Sequence, residues 1–162
     1  MQHNQPERTP ISLLQEVFPA DTNPYGTAFG GNIMALMDVA AGMAASRFAH
    51  CQFVTGAMDA VRFVAPAREG DIVEVVARVV YTSAHTCGVK LQVNAMGKTR
   101  WEPRSCCQGT ILMVAIDEHG KPVRIRQFEP ENDAERLEWD EVADVHRRMV
   151  EDRRKIRRGK KA

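Results

Sequence analysis

Two kinds of hydrophobic pattern run along this chain. Ile11 to Phe18 mixes apolar and polar positions in the manner of a short strand, and Pro19 with the polar run DTNPYG ends it, since Asp21, Asn23, Pro24 and Gly26 are each turn formers. Pro24 biases Asn23 toward extended geometry, so its side chain is presented from a loop. A helix follows from about Ile33 to Ala49, with Asn32 as the expected N-cap and Gly30 and Gly31 permitting close backbone approach ahead of it. Ile33, Met34, Leu36, Met37, Val39, Met43 and Phe48 alternate with Ala and Gly, leaving the helix no solvent face, and such a helix is expected to be central. Phe53 to Val64, Asp71 to Thr82, Gly88 to Met96 and Ser105 to Asp117 then read as strands rich in Val, Ile and Thr. Their links are short, which favours antiparallel pairing of consecutive strands. The expected fold is α+β, a curved antiparallel sheet wrapped around one long helix, spanning residues 11–127.

Composition changes this picture little. With 162 residues, 44% hydrophobic and 27% charged, the chain suits one domain with a sizeable core. No apolar run reaches membrane-spanning length, and MQHNQPERTP lacks a signal-peptide pattern, so a soluble, cytoplasmic protein without a membrane partner is expected. Cys51, Cys87, Cys106 and Cys107 form no CxxC pair, and neighbours 106 and 107 should face opposite sides of a strand; reduced thiols, with no metal site, are the expectation. A net charge of +1 conceals a polarity in residues 128–162, which are acidic from Glu129 to Asp144 and basic from Arg147 through Lys161. Acid first and base last complements a helix dipole, so this tail reads as a solvated helix rather than a nucleic-acid binder.

One residue resists the structural explanation. Asp38 is the lone carboxylate of the apolar helix, and burying an ionised carboxylate without partners costs several kcal/mol. It is therefore paired, with Arg47 nine residues on as one partner to consider, or kept protonated, or it faces a cavity where chemistry occurs. The helix start offers a complement: N–H groups around Gly31 and Asn32 carry positive partial charge and suit a developing oxyanion. Asp38 lies roughly two turns further in, with room for a water or a reacting carbon between. It could serve as general base or as nucleophile. Asn23 can donate and accept, so it either orients that water or caps its own turn.

The segments Asn23-Pro-Tyr-Gly26, Phe29-Gly30-Gly31, Met37-Asp38 and Ala41-Gly42 resemble the signature of hotdog-fold acyl-CoA thioesterases, in particular the cytosolic acyl-CoA hydrolase type and the small bacterial enzymes. VTGAMDAVRFVAPAREGD at Val54 to Asp71 and ARVVYTSAHTCGVKLQV at Ala77 to Val93 extend the resemblance. It implies hydrolysis of fatty acyl-CoA to free acid and coenzyme A, with Asn23 and Asp38 catalytic and with Gly30, Gly31, Asn32, Thr55 and Ser83 holding the substrate. It further implies a homodimer in which Asn23 of one subunit faces Asp38 of the other, a trimer of dimers above that, and a coenzyme A nucleotide held by surface cations, for which Arg62, Lys90 and Arg104 are candidates. No separate cofactor is implied, because coenzyme A belongs to substrate and product. Two rivals stay open: a non-catalytic acyl-CoA-binding or regulatory protein, and a hydratase of the same fold. The hydratase needs a histidine near the helix start or five residues after the acid, where this chain has Met43.

Overall fold

The computed structural model describes residues 7–159; Lys160 and Lys161 of the expected tail, and His3 of the N-terminus, lie outside the described residues. Five strands, β1 (Ile11–Glu16), β2 (Gln52–Phe63), β3 (Ile72–Thr82), β4 (Thr86–Gly97) and β5 (Arg100–Ile116), flank a helix α1 (Gly30–Ala49) and a C-terminal helix α2 (Asp133–Gly159). All pairings are antiparallel, in the order β1-β3-β4-β5-β2. Consecutive strands are therefore neighbours only from β3 to β5. β2 lies at the far edge because the link after it is drawn elsewhere: Ala28 donates its N–H to Ala67 O (2.8 Å) and Thr27 bridges Arg68, so this link runs past the start of α1 before β3 begins.

α1 lies on the inner face of the curved sheet. Ile33, Met37, Ala40, Ala41, Ala44, Ala45 and Phe48 are buried against Val75, Ala77, Val89, Leu91, Val93 and Ile111, and the alanines allow close approach. The expectation of a helix without a solvent face does not hold for the single chain. Met34, Val39 and Met43 remain 37%, 54% and 45% exposed, and β2 beside them has one neighbour and leaves Val54 and Met58 bare. Cys106 and Cys107 both enter the inner core rather than facing opposite sides, because the β4–β5 register slips between Val93 and Asn94 and leaves Cys106 as the extra residue. All four cysteines are free.

The outer face of the sheet is partly covered by α2. Asn132 caps the helix, accepting the N–H of Glu135 (2.9 Å), and the acid-to-base polarity runs as expected. The helix is not simply solvated: Val142 is fully buried with Val80, Tyr81 and Leu112, and Trp139, Ala143, Val145 and Met149 pack around them. Arg78 makes a two-pronged pair with Glu138 (2.7 and 2.5 Å), and Lys90 pairs with Glu141 (2.6 Å). Residues from Glu151 to Gly159 are exposed, as a solvated tail would be.

Candidate active site

The loop before α1 is a tight hairpin built on Asn23. Asn23 O accepts the N–H of Gly26 (3.0 Å), Asn23 N–H donates to Thr27 O (2.8 Å), and Gly26 takes φ 71°, which glycine adopts without strain. The Asn23 side chain works within this turn: Oδ1 accepts from Tyr25 N–H (3.0 Å) and Thr27 N–H (3.3 Å), while Nδ2 donates to Thr27 Oγ1 (2.8 Å). Asp21 ties the loop to the helix, its carbonyl accepting Phe29 N–H (2.8 Å) and Asn32 Nδ2 (3.4 Å).

The helix begins earlier than its sequence suggests. Phe29, with ψ 127°, is the N-cap and makes no side-chain cap; Asn32 sits three residues inside and reaches back to Asp21 instead. Its own N–H is taken by Phe29 O (2.9 Å), so Asn32 is not an oxyanion donor. The N–H groups that an α-helix leaves without internal acceptors are here those of Gly30 and Gly31. Both glycines are closely packed: a Cβ on Gly31 would lie 2.5 Å from the Phe29 ring, and one on Gly30 would lie 3.3 Å from the Phe63 ring. An apolar groove of about 410 Å³ opens beside them, walled by Thr27, Gly30, Ile33, Phe63, Pro66 and Cys106 among others. Of these walls the sequence pointed only to Gly30; the run FVAPA at the end of β2 was the available signal for Phe63 and Pro66.

Asp38 is half-buried, and its partner is Thr55, whose hydroxyl donates to Oδ1 at 2.5 Å. Arg47 is not that partner. It pairs with Glu7 (3.6 Å) and donates to Thr9 O. Thr55 reaches Asp38 because β2 bulges between Thr55 and Ala57, so these two do not share a face as residues two apart in a regular strand would. Thr55 contacts Met113 on the α1 side, while Ala57 packs into the cluster under α2. The glycine at position 56, inside a strand pattern, was the legible sign of a bulge.

Two distances limit what one chain can do. Gly31 and Asp38 are seven residues apart on a helix, roughly 10 Å along its axis, which is too far for one thioester carbon to sit between them. Thr82, Cys87, Met113 and Thr55 stand in one ladder row across four strands, so Ser83, just past Thr82, is roughly 14 Å from Thr55 of its own chain. Of the three candidate cations, Lys90 is bound to Glu141 and Glu138, and Arg104 to Asp71 and to Pro66 O. Arg62 is exposed and makes no ion pair among the described residues.

Burial raises all four thiols, Cys106 to about 11, so none offers a thiolate nucleophile at neutral pH. No cluster of His, Cys, Asp and Glu suited to a metal occurs among the described residues, and no helix among them is long and apolar enough to cross a membrane.

Comparison with known proteins places this geometry. The model of the Thioesterase superfamily matches residues 25–99. The acyl-CoA thioester hydrolase YciA of Escherichia coli is 32% identical over 124 residues, which are 74% of this chain and 92% of that protein. An acyl-CoA hydrolase of Staphylococcus aureus, solved with butyryl coenzyme A, coenzyme A and coenzyme A disulfide, superposes with a TM-score of 0.74 at 34% identity, covering 92% of this chain and 88% of that one. The same enzyme has been solved with alanine in place of an asparagine, of an aspartate fifteen residues later and of a threonine seventeen residues beyond it. An apo-hexameric acyl-CoA thioesterase superposes with a TM-score of 0.82 at 29% identity, over 91% of this chain and 95% of that one. The helix wrapped by an antiparallel sheet and the sequence identity to these enzymes agree: this chain belongs to the thioesterase superfamily, as a thioester hydrolase of the hotdog-fold acyl-CoA hydrolase group.

Proposed function

We propose that the protein hydrolyses acyl-CoA to free acid and coenzyme A with Asp38 as general base, at a site assembled from two chains. The observation that carries this is Asp38 itself, held by Thr55 on the one bare face of an otherwise apolar helix. Asn23, Asp38 and Thr55 also stand at the same two spacings as the three residues replaced in the Staphylococcus aureus enzyme. Asp38 takes a proton from water, the hydroxide adds to the thioester carbon, and the oxyanion is stabilised by the N–H of Gly31, and of Gly30 beside it, at a helix start. The thiolate leaves with little help because a thiol is far more acidic than an alcohol, and Asp38 returns the proton to it. No cofactor takes part.

The roughly 10 Å between Gly31 and Asp38 in one chain supports the second subunit's role. Two α1 helices packed antiparallel about a two-fold axis near Met34 and Ala35 bring Asp38 of each against the start of the other, where Asn23 also lies. Met34 and Ala35 are exposed in the single chain. Hexameric neighbours support a trimer of dimers above that dimer. Arg62, whose charge is uncommitted, is the preferred contact for the coenzyme A phosphates. Four free cysteines suit a reducing, cytoplasmic setting.

The test is thiol release from a panel of acyl-CoAs by wild type and Asp38→Ala. The expected loss in turnover is about 100-fold or more, with the melting temperature little changed. Unchanged turnover would overturn the assignment, binding without thiol release would make the protein a binder, and an acyl-enzyme in quenched mass spectra would make Asp38 a nucleophile. Hydratase chemistry is disfavoured because the partner of Asp38 is a threonine, and His50 caps the far end of the helix.

A further inference from the structure

α2 crosses the outer face of the sheet toward its β2 edge. Trp139 meets Tyr81 of β3 edge-on, with centroids 4.9 Å apart, and Val142 occupies the space above Gly88 of β4. Further along, Met149 Sδ lies 3.5 Å from where a Cβ of Gly56 would stand, and Arg153 Nη2 donates to Gly56 O (3.4 Å). Arg148 pairs with Asp59 (2.7 Å) beside the second irregularity of β2, where Ala60 takes φ 51° and donates its N–H to Asp59 Oδ1 (2.8 Å).

These contacts fall on the part of β2 that aims Thr55. Gly56 is the extra residue of the first bulge; a Cβ there would be 3.0 Å from Val114 and 3.1 Å from Leu112 O, so the bulge is tightly seated on β5. Its effect is to turn Thr55 toward α1 while Ala57 turns toward α2. β2 is an edge strand, paired on one side within the chain, and a bulge on an edge has half the ladder of an interior strand to hold its register. α2 adds a restraint from above, at Gly56 itself.

We infer that Met149 and Arg153 are positioning residues for hydrolysis: they hold the Gly56 bulge, and through it fix the Thr55 hydroxyl against Asp38. The inference rests on Asp38 being the general base. It gives the charged end of α2 a role in turnover that exposed arginines would not have as a stabilising surface, since exposed polar contacts add little to stability.

The test uses the full chain with butyryl-CoA as substrate and thiol release as readout. Met149→Ala with Arg153→Ala should lower kcat about tenfold, with KM changed less than about twofold, as loss of alignment does. Met149→Ala also removes packing under α2 and lowers the melting temperature, so the control is Arg153→Ala alone, which should show part of the rate loss at the melting temperature of Arg157→Ala, a change on the same helix away from β2; Arg153→Lys, which keeps a donor for Gly56 O, should restore part of the rate. In a Thr55→Ala background the same α2 substitutions should cost nothing further, because the path through Thr55 is already cut. An equal loss in both backgrounds would overturn the inference, as would no loss in the wild-type background. If Asp38→Ala and Thr55→Ala themselves leave turnover intact, the reading of the site falls and this inference with it.

Discussion

At Asn23 one amide builds the turn and is proposed to serve hydrolysis as well, and substitutions can separate the two tasks. Its Oδ1 accepts two backbone N–H groups and its Nδ2 donates to Thr27, which accounts for the turn without any reference to catalysis. Asn23→Ala removes both ends and should cost about 1 kcal/mol of stability along with turnover. Asn23→Asp keeps the acceptor, and the Thr27 hydroxyl can rotate to donate, so its melting temperature should stay close to wild type while thiol release falls for want of the amide donor. Full activity in Asn23→Asp would leave Asn23 a turn residue alone. At this scale the sequence exposed what was chemically out of place: a single acid on an apolar helix, and paired glycines before it. It hid what backbone geometry decides. Asn32 has the usual chemistry of an N-cap, yet the helix starts three residues earlier than expected, at Gly30, a poor helix former packed against Phe63. Thr55 was legible as a polar strand residue, but its aim depends on a one-residue bulge.

Between elements, the attachment of α2 to the sheet depends on a missing side chain and a half-buried histidine. Gly88 has no room for a methyl group: its Cβ would lie 2.3 Å from Val142 Cγ1 and 3.0 Å from Tyr81 Cβ. Gly88→Ala should therefore destabilise the protein by about 1–3 kcal/mol in chemical denaturation, by pushing α2 off the sheet. His146 packs on Tyr81, its Nδ1 3.0 Å from the hydroxyl, and burial first, then Arg153, holds its pKa below the ordinary histidine value. The unfolded chain thus binds this proton more tightly than the folded one. The stability His146 contributes is complete above its unfolded pKa near 6.5 and is lost as pH falls from there through the lower folded value. Melting temperatures at pH 7.5 and 5.5 should differ more for wild type than for His146→Gln; equal differences would remove His146 as a source of the pH dependence. The sequence showed the charge polarity of α2 but obscured its buried stripe, because Trp139, Val142, Val145 and Met149 are spaced among so many charges that the helix reads as solvated.

For the whole molecule, the wrapped helix and antiparallel strands were legible from pattern, while the two bare surfaces were not, since patterning cannot say which chain covers an apolar face. Met34, Val39 and Met43 on α1 and the open edge of β2 lie on the side where Asp38 sits, so whatever covers them also closes the site. A two-fold partner is the economical cover, because one self-complementary patch then satisfies both chains. Such a site has a signature that no single-chain site can imitate. Asp38→Ala and Asn23→Ala should each be inactive alone, yet in a mixed dimer the intact Asn23 of the first variant faces the intact Asp38 of the second. Random pairing makes half the dimers mixed, each with one whole site of two, so co-expression or co-refolding should recover about a quarter of the wild-type sites. Light scattering would check that the variants assemble as wild type does. Recovery of thiol release on mixing would place Asn23 and Asp38 on different subunits, whereas assembled but inactive mixtures would place them on the same one.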